Sequence, residues 1–298
     1  MEDSNLSQLV EDWVKNSVGY FNIKDIYYDL RIETRSAKNL TSQKLKRMAE
    51  NKVIQRKSGV HGIFRRIVTD AEVIDWRNAD YNNTIPLILL FNINKYINIY
   101  PKNIIILAGA SNAGKTAFIL NFIHDNQNLL PEKLNLFSSE TGAEELKMRI
   151  MSSGLPLSEW NFNAYSRSAN FADVINPNAI NVIDYLEVTS NFAEVGTPIR
   201  EIHDSLDKGI ALIVLQKKSN TKDFKYDLAK GAEATMEKAR LYLSIDNGVC
   251  KIIKGKNWAD PNINPNGMEF RFKLVNGYKF INLNPPKQMQ IPDDMMVT

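Results

Sequence analysis

Apolar residues along the chain change their spacing near residue 84, and the change divides the sequence into two kinds of structure. Before it, Leu6, Leu9, Val10, Trp13 and Val14 recur at helical intervals and predict a helix over 6–15, broken by Gly19-Tyr20-Phe21-Asn22. Ile23–Leu30 reads as a second short helix, and Thr41–Asn51 as a third, capped by Thr41 with Leu45 and Met48 inward. Val53–Lys57 and Gly62–Val68 alternate around the turn Ser58-Gly59-Val60-His61 and predict two strands. Asp70–Asn83 is polar, helical at most around Ala71–Trp76, and reads as a linker. After it come short runs that read as strands, most of them continuously apolar: Asn103–Ala108, Lys133–Glu140, Ala179–Asp184 and Ile210–Leu215. Such runs suit strands buried on both faces, and helical spacing returns between them at Ala117–Ile123 and Ala143–Ile150. The alternation predicts an α/β fold: a mostly parallel, twisted sheet with flanking helices, closed by Met268–Leu274 and Tyr278–Ile281. The expected boundaries are a small α+β domain over 1–69, a linker over 70–84, the main domain over 85–283, and a weakly ordered tail over 284–298.

The first apolar run of the main domain leads into Gly109-Ala110-Ser111-Asn112-Ala113-Gly114-Lys115-Thr116, a complete G-x-x-x-x-G-K-[ST] loop, and a helix begins at Ala117. The two glycines let the backbone fold around an anion without a Cβ in the way, and successive N–H groups meet it at the helix N-terminus. The segment predicts a nucleoside triphosphate site in which Lys115 meets the β and γ phosphates and Thr116 meets magnesium. ATP and Mg2+ are the expected ligands.

Two later runs end on carboxylates, at Glu140 and Asp184, where ligands of open α/β sheets bind. Asp184 is the natural carboxylate on the magnesium side, and Glu140 the candidate for orienting and deprotonating the attacking water. Glu187 is a rival for the base, set back because the strand ends near Asp184. A fourth run ends in Gln216, whose amide can report an intact γ phosphate to the loop that follows. That loop, Lys217-Lys218-Ser219-Asn220-Thr221-Lys222-Asp223-Phe224-Lys225-Tyr226, interleaves cations with rings and suits single-stranded nucleic acid, with Lys217, Lys218, Lys222 and Lys225 on the backbone. A solvated surface loop is the other reading.

The net charge over 298 residues is only +3, but it is unevenly placed. Arg31–Arg66 carries eleven Lys or Arg against Glu33 and Glu50, a local balance of +9 that leaves about −6 elsewhere. Three helices followed by a hairpin resemble a winged helix-turn-helix domain. That resemblance implies that Ser42, Gln43, Lys44, Lys46 and Arg47 face a DNA major groove, with Arg56, Lys57 and Arg65 in or beside the wing. Packing on a protein partner is the alternative. Cys250 is the only cysteine, and His61, His124 and His203 match no metal-ligand spacing, so neither a disulfide framework nor a zinc site is expected. No apolar run approaches the roughly 18 residues of a membrane span. The acidic start Met1-Glu2-Asp3 is unlike a secretory leader, and a cytoplasmic location without membrane partners is expected.

Together, the phosphate loop, Phe137-Ser138-Ser139-Glu140 with Glu144-Glu145-Leu146, Val182-Ile183-Asp184-Tyr185-Leu186, and Leu215-Gln216 resemble the RecA/DnaB superfamily of ATPases over roughly 85–281. Their wording is nearest to DnaB-type replicative helicases. The resemblance implies a homo-oligomer with nucleotide sites shared between subunits, the neighbour supplying basic fingers. Lys254-Gly255-Lys256, after the strand Cys250–Ile253, sits where helicases carry Lys-x-Arg; its Lys-x-Lys is the recombinase form, and it makes Lys254 and Lys256 the candidate fingers. The expected function is a magnesium-dependent ATPase motor on DNA. The alternative is a regulatory or adaptor ATPase that uses ATP to control assembly without unwinding.

Overall fold

The computed structural model describes residues 3–69, 71, 73–186, 195–217, 227–283 and 286–288. The chain divides into two compact units, Met1–Ala79 and Asp80–Thr298.

The first unit holds three helices, α1 (Asp3–Asn16), α2 (Ile23–Asp29) and α3 (Arg35–Glu50), and three strands, β1 (Tyr20–Asn22), β2 (Ile54–Arg56) and β3 (Ile63–Arg66). The strands form an antiparallel sheet in the order β1-β3-β2. Val10, Val14, Ile26, Leu45 and Ile54 fill the core between helices and sheet. Three expectations are corrected. The break after the first helix holds a strand, Tyr20–Asn22, because Phe21 pairs with Phe64 and is buried against it. The third helix begins six residues before Thr41: Thr34 caps it, accepting the Ala37 amide at 3.2 Å, while Thr41 is buried inside the helix and donates its hydroxyl to the Ala37 carbonyl. Residues 71 and 73–76 form no helix; Asp75 instead accepts the Asn78 side-chain amide at 2.8 Å in a turn.

The second unit is built on one ten-stranded sheet. Its strands are β4 (Ile104–Gly109), β5 (Asn135–Ser138), β6 (Asn163–Ser166), β7 (Ile180–Asp184), β8 (Ile210–Gln216), β9 (Ala239–Asp246), β10 (Val249–Gly255), β11 (Met268–Val275), β12 (Lys279–Asn282) and β13 (Lys287–Gln288). The order is β12-β11-β10-β9-β4-β8-β7-β5-β6, with β13 beside β11. From β9 to β6 every pairing is parallel, and from β9 through β13 every pairing is antiparallel. The described helices are α4 (Lys115–Asn126), α5 (Ala143–Met151) and α6 (Gly196–Ser205). This is a large, mostly parallel sheet with flanking helices.

Continuous apolar runs form its central strands because neither face of those strands meets water. In β4, Ile105 and Leu107 enter one core cluster while Ile104, Ile106 and Ala108 enter the other; β8 divides its residues the same way. The edge strand β6 escapes a hydrophobic reading since Asn163-Ala164-Tyr165-Ser166 is mostly exposed, as edge strands tolerate. Inside the stretch expected to be a loose tail, Lys287–Gln288 pairs with Met268 and Glu269 of β11. Most of that stretch, with Glu187 and residues 218–226, lies outside the described residues.

Leu45 is fully buried at the centre of the first unit. Leu45→Ala is expected to destabilise that unit by about 3 kcal/mol, the usual order for an unfilled core cavity. The loss is read as reduced amide-exchange protection in α3; exposed Asn39→Ala is the control, expected to change it little.

Candidate active site

Parallel strands place their carboxyl ends along one edge of the sheet, and register fixes which ends are neighbours. Gly109 of β4 lies opposite Gln216 of β8, and Ser138 of β5 opposite Asp184 of β7. Beyond β4 the chain turns through the loop and enters α4 at Lys115. Gly114 makes the entry at φ +94°, a left-handed conformation that a side chain would strain. A Cβ on Gly109 would come within 2.7 Å of Lys115 Cγ and 2.8 Å of Ile245, so the chain can pass here only without one.

A cleft of about 420 Å³ opens over this edge. Ser111, Asn112, Gly114, Lys115, Thr116 and Ala117 line it from the loop and α4, Glu140 from beyond β5, and Asp184 from the end of β7. The structure therefore brings together the residues expected for phosphate, magnesium and base, although Glu140 and Asp184 are 44 positions apart in the chain. Gly109, Ala110 and Ala113 are buried beneath the loop as its frame. Gln216 is half-buried at the end of β8, beside Gly109.

The charges in the cleft act on one another. The Lys115 ammonium donates to the carbonyls of Gly109 at 3.2 Å and Ala110 at 2.7 Å. Burial lowers its pKa, and the carboxylates of Asp184 and Glu140 oppose that shift. Burial pushes the Asp184 carboxyl up to about 6; Lys115 pulls it down, Glu140 adds to the rise, and Arg149 pulls it down again.

The donor set fits a hard divalent cation. The Thr116 hydroxyl and the Asp184 carboxylate would both offer it oxygen donors from the cleft wall. Among the described residues no group of three His, Cys, Asp or Glu forms a closed cage. A site that relies on phosphate and water for its remaining ligands is the usual magnesium arrangement.

Sequence reasoning missed part of the wall. Glu145 and Arg149 of α5 line the cleft and pair at 2.6 Å. Their i,i+4 spacing was a readable signal for the pair, though not for the direction of that helix face. Leu274 and Gly277 enter from the β11–β12 hairpin, which the Asn121 amide holds to α4 through the Tyr278 carbonyl at 2.9 Å. No local pattern reports so distant a contact.

No protein-family model matches this chain, and no curated protein matches it. Among solved structures, an ATPase domain aligns with 62% of this chain and 86% of its own, at 16% identity and a TM-score of 0.45. The structure of a DnaB-like replicative helicase, studied with its interactions with primase, aligns with 95% of this chain and 76% of that one, at 14% identity and a TM-score of 0.51. The likeness to the DnaB-like replicative helicase is one of fold. In this P-loop fold the cleft occupies the edge where the phosphate loop and the strand-end acids meet.

Other expected residues lie elsewhere. Lys254, within β10, is half-buried and donates to the Met236 carbonyl; burial, with Lys256 and Arg240 nearby, pushes its pKa down to about 8. Lys256 is exposed, and neither lysine lines this chain's own cleft. Lys46, Arg47, Arg56 and Lys57 are exposed on the first unit, whereas Lys44 pairs with Glu11 at 2.8 Å and Arg65 donates to Gln55 at 2.7 Å. Lys217 is corrected: it is 3% exposed and bonded to Asp227, Ser244 and Asp246, so its ammonium has no access to nucleic acid. Lys218, Lys222 and Lys225 lie outside the described residues.

The raised Asp184 carboxyl has a consequence for stability. The folded protein keeps this proton up to about pH 6, whereas an unfolded aspartate, with the ordinary value of 3.8, releases it earlier. The native state therefore binds more protons across that interval, and stability falls as pH rises from about 4 to about 6. Asp184→Asn is expected to flatten the slope, changing the pH 4 to pH 7 difference by about 2 kcal/mol in denaturant titrations without nucleotide.

Proposed function

We propose that this protein is an oligomeric, magnesium-dependent ATPase that binds DNA and moves along it or remodels it. The observation that carries the reading is the convergence of Lys115, Thr116, Asp184 and Glu140 on one cleft at the edge of the parallel sheet. The likeness in fold to a DnaB-like replicative helicase supports a motor over other nucleotide chemistries.

ATP enters with its phosphates over the loop, where the backbone N–H groups and the start of α4 receive the negative charge. Lys115 exchanges the carbonyls of Gly109 and Ala110 for phosphate oxygens. Thr116 and Asp184 hold the magnesium, directly or through water. Magnesium, when bound, neutralises charge on the transferred phosphoryl group. Glu140, exposed at the mouth of the cleft, orients the attacking water and accepts its proton. Gln216, beside the phosphate loop, is placed to respond to the γ phosphate. Lys254 and Lys256 act on the site of a neighbouring copy, which makes the oligomer the working form.

The first unit is the DNA address. Three helices with a β2–β3 hairpin support a winged helix-turn-helix reading. Ser42, Gln43, Lys46 and Arg47 lie on the exposed face of α3, and Arg56 and Lys57 flank the hairpin turn. Lys44 and Arg65 contribute less, as both already have partners within the unit. Lys218, Lys222 and Lys225 remain the proposed contacts to a single strand.

ATP turnover with and without single-stranded and duplex DNA tests the reading. Lys115→Ala is expected to abolish turnover and weaken nucleotide binding, whereas Glu140→Gln keeps binding and lowers kcat by about 10²–10⁴-fold. Stimulation by single strands supports the motor; turnover indifferent to DNA assigns the ATP cycle to control of assembly.

Neutralising Lys46, Arg47, Arg56 and Lys57 together to Ala is expected to weaken duplex binding and to lower its salt slope by roughly 1 for each phosphate that the variant no longer neutralises. Titrations at two or more salt concentrations read both effects, and an unchanged slope removes the first unit from the DNA interface.

A further inference from the structure

Lys217 is the most deeply buried cation among the described residues, although one of its partners, Asp246, is open to solvent. It follows Gln216 directly, and its amide donates to the Gly109 carbonyl at 3.1 Å, the first residue of the phosphate loop. Its ammonium is bound elsewhere, by Ser244 at 2.9 Å, Asp227 at 3.4 Å and Asp246. Asp227 passes the interaction on: its other oxygen accepts Lys251 at 3.2 Å, and Lys251 reaches Glu269 at 3.0 Å. Five charged groups from β8's end, the returning chain, β9, β10 and β11 thus form one chain of ion pairs.

The returning segment is fixed at further points. Lys217 bridges Ala229 in antiparallel fashion, the Lys230 amide donates to the Gln216 carbonyl at 3.0 Å, and the Ala229 amide donates to the buried Tyr242 hydroxyl at 2.8 Å. Residues 227–230 and Gln216 are therefore held by overlapping bonds, with Lys217 at their junction. Burying such charges is expensive, and a methionine of similar length would fill the space without that cost. The Lys217 backbone bonds the phosphate loop whatever side chain it carries, and the ammonium adds a bond to Asp227 at the start of the return segment, which a packing role does not require.

We propose that Lys217 is a positioning residue: with Asp227 it locks Gln216 and the return segment Asp227–Lys230 into one unit, so that nucleotide in the cleft is felt at that segment. This rests on the nucleotide site proposed above. It reassigns Lys217 from a ligand of nucleic acid to an internal latch between the cleft and the chain that returns from 218–226.

The Lys230 amide is the natural reporter, because its acceptor is the Gln216 carbonyl. Hydrogen exchange at that amide is measured in the full chain, with and without magnesium and the slowly hydrolysed analogue ATPγS, beside the affinity for the same analogue. Three proteins are compared: native, Lys217→Met, and Lys217→Met with Asp227→Asn, the last leaving no lone buried charge should the single variant fold poorly. In the native chain nucleotide is expected to slow exchange at Lys230 by about fivefold or more, within the usual range of coupling. In the variants the affinity should stay within about threefold while that ratio falls to about one. A merely structural role would alter exchange equally in both states and keep the native ratio, which overturns the proposal. Nucleotide bound by the native chain with no change at Lys230 overturns it as well. If the native chain binds no nucleotide, the functional reading falls, and this proposal with it.

Discussion

Everything in the larger unit depends on β4 having no wet face. Ile104–Ala108 are fully buried, with parallel partners on both sides, β8 and β9. A strand so placed cannot slide, because a shift of one residue would exchange the contents of two separate cores. Its end is accordingly a fixed point, and the phosphate loop starts there. The glycines work only because of this rigidity: Gly109 leaves the room that the Lys115 stem occupies, and Gly114 turns the chain into α4. Rigid backbone donors can meet charge without first reorganising, which is what makes such an arrangement effective on phosphates.

The same rigidity lets the cleft hold charges that would repel or neutralise one another in a looser setting. Glu140 adds to the cost of ionising Asp184, and Lys115 offsets part of that cost from across the cleft. Asp184 lies deep at a strand end while Glu140, two residues beyond β5, is exposed. The division suits the different tasks proposed for them. An ion is held best by a ligand that cannot move, and a proton is best passed from a group open to water.

Much of this was legible in the sequence because it is local. The phosphate loop lies between an apolar run and helical spacing, and the acids at the ends of other runs need only sheet formation to come together. What was not legible depends on partners far along the chain. Tyr20–Asn22 reads as a break until β3 is present to pair with it. Thr41 looks like a cap because capping chemistry is common to many threonines, and only the burial of Thr41 itself and the bond from the Ala37 amide to Thr34 show that the helix begins at Arg35. Gly277 and Leu274 reach the cleft through a hairpin more than 150 residues from the phosphate loop. Lys217 is the clearest case: in the sequence it is the first of several loop lysines, and its separation from them is decided by Asp227, Ser244 and Asp246.

The basic first unit shows the opposite outcome for a lysine-rich stretch. In α3, Thr41, Leu45 and Met48 recur at helical spacing and turn one face inward. Ser42, Gln43, Lys46 and Arg47 are thereby left facing water, and the core offers them no partner of the kind Lys217 has. Acids within the unit absorb some of the charge, as Glu11 does for Lys44, but Arg31–Arg66 still carries +9. Solubility needs no such concentration of one sign, and the mutual repulsion it entails costs stability. A polyanion laid along that face would relieve the repulsion and release the counterions condensed on its own backbone. The two outcomes differ in their partners: the Lys217 ammonium is held by carboxylates of its own fold, whereas on the face of α3 a polyanion would have to supply the opposing charge.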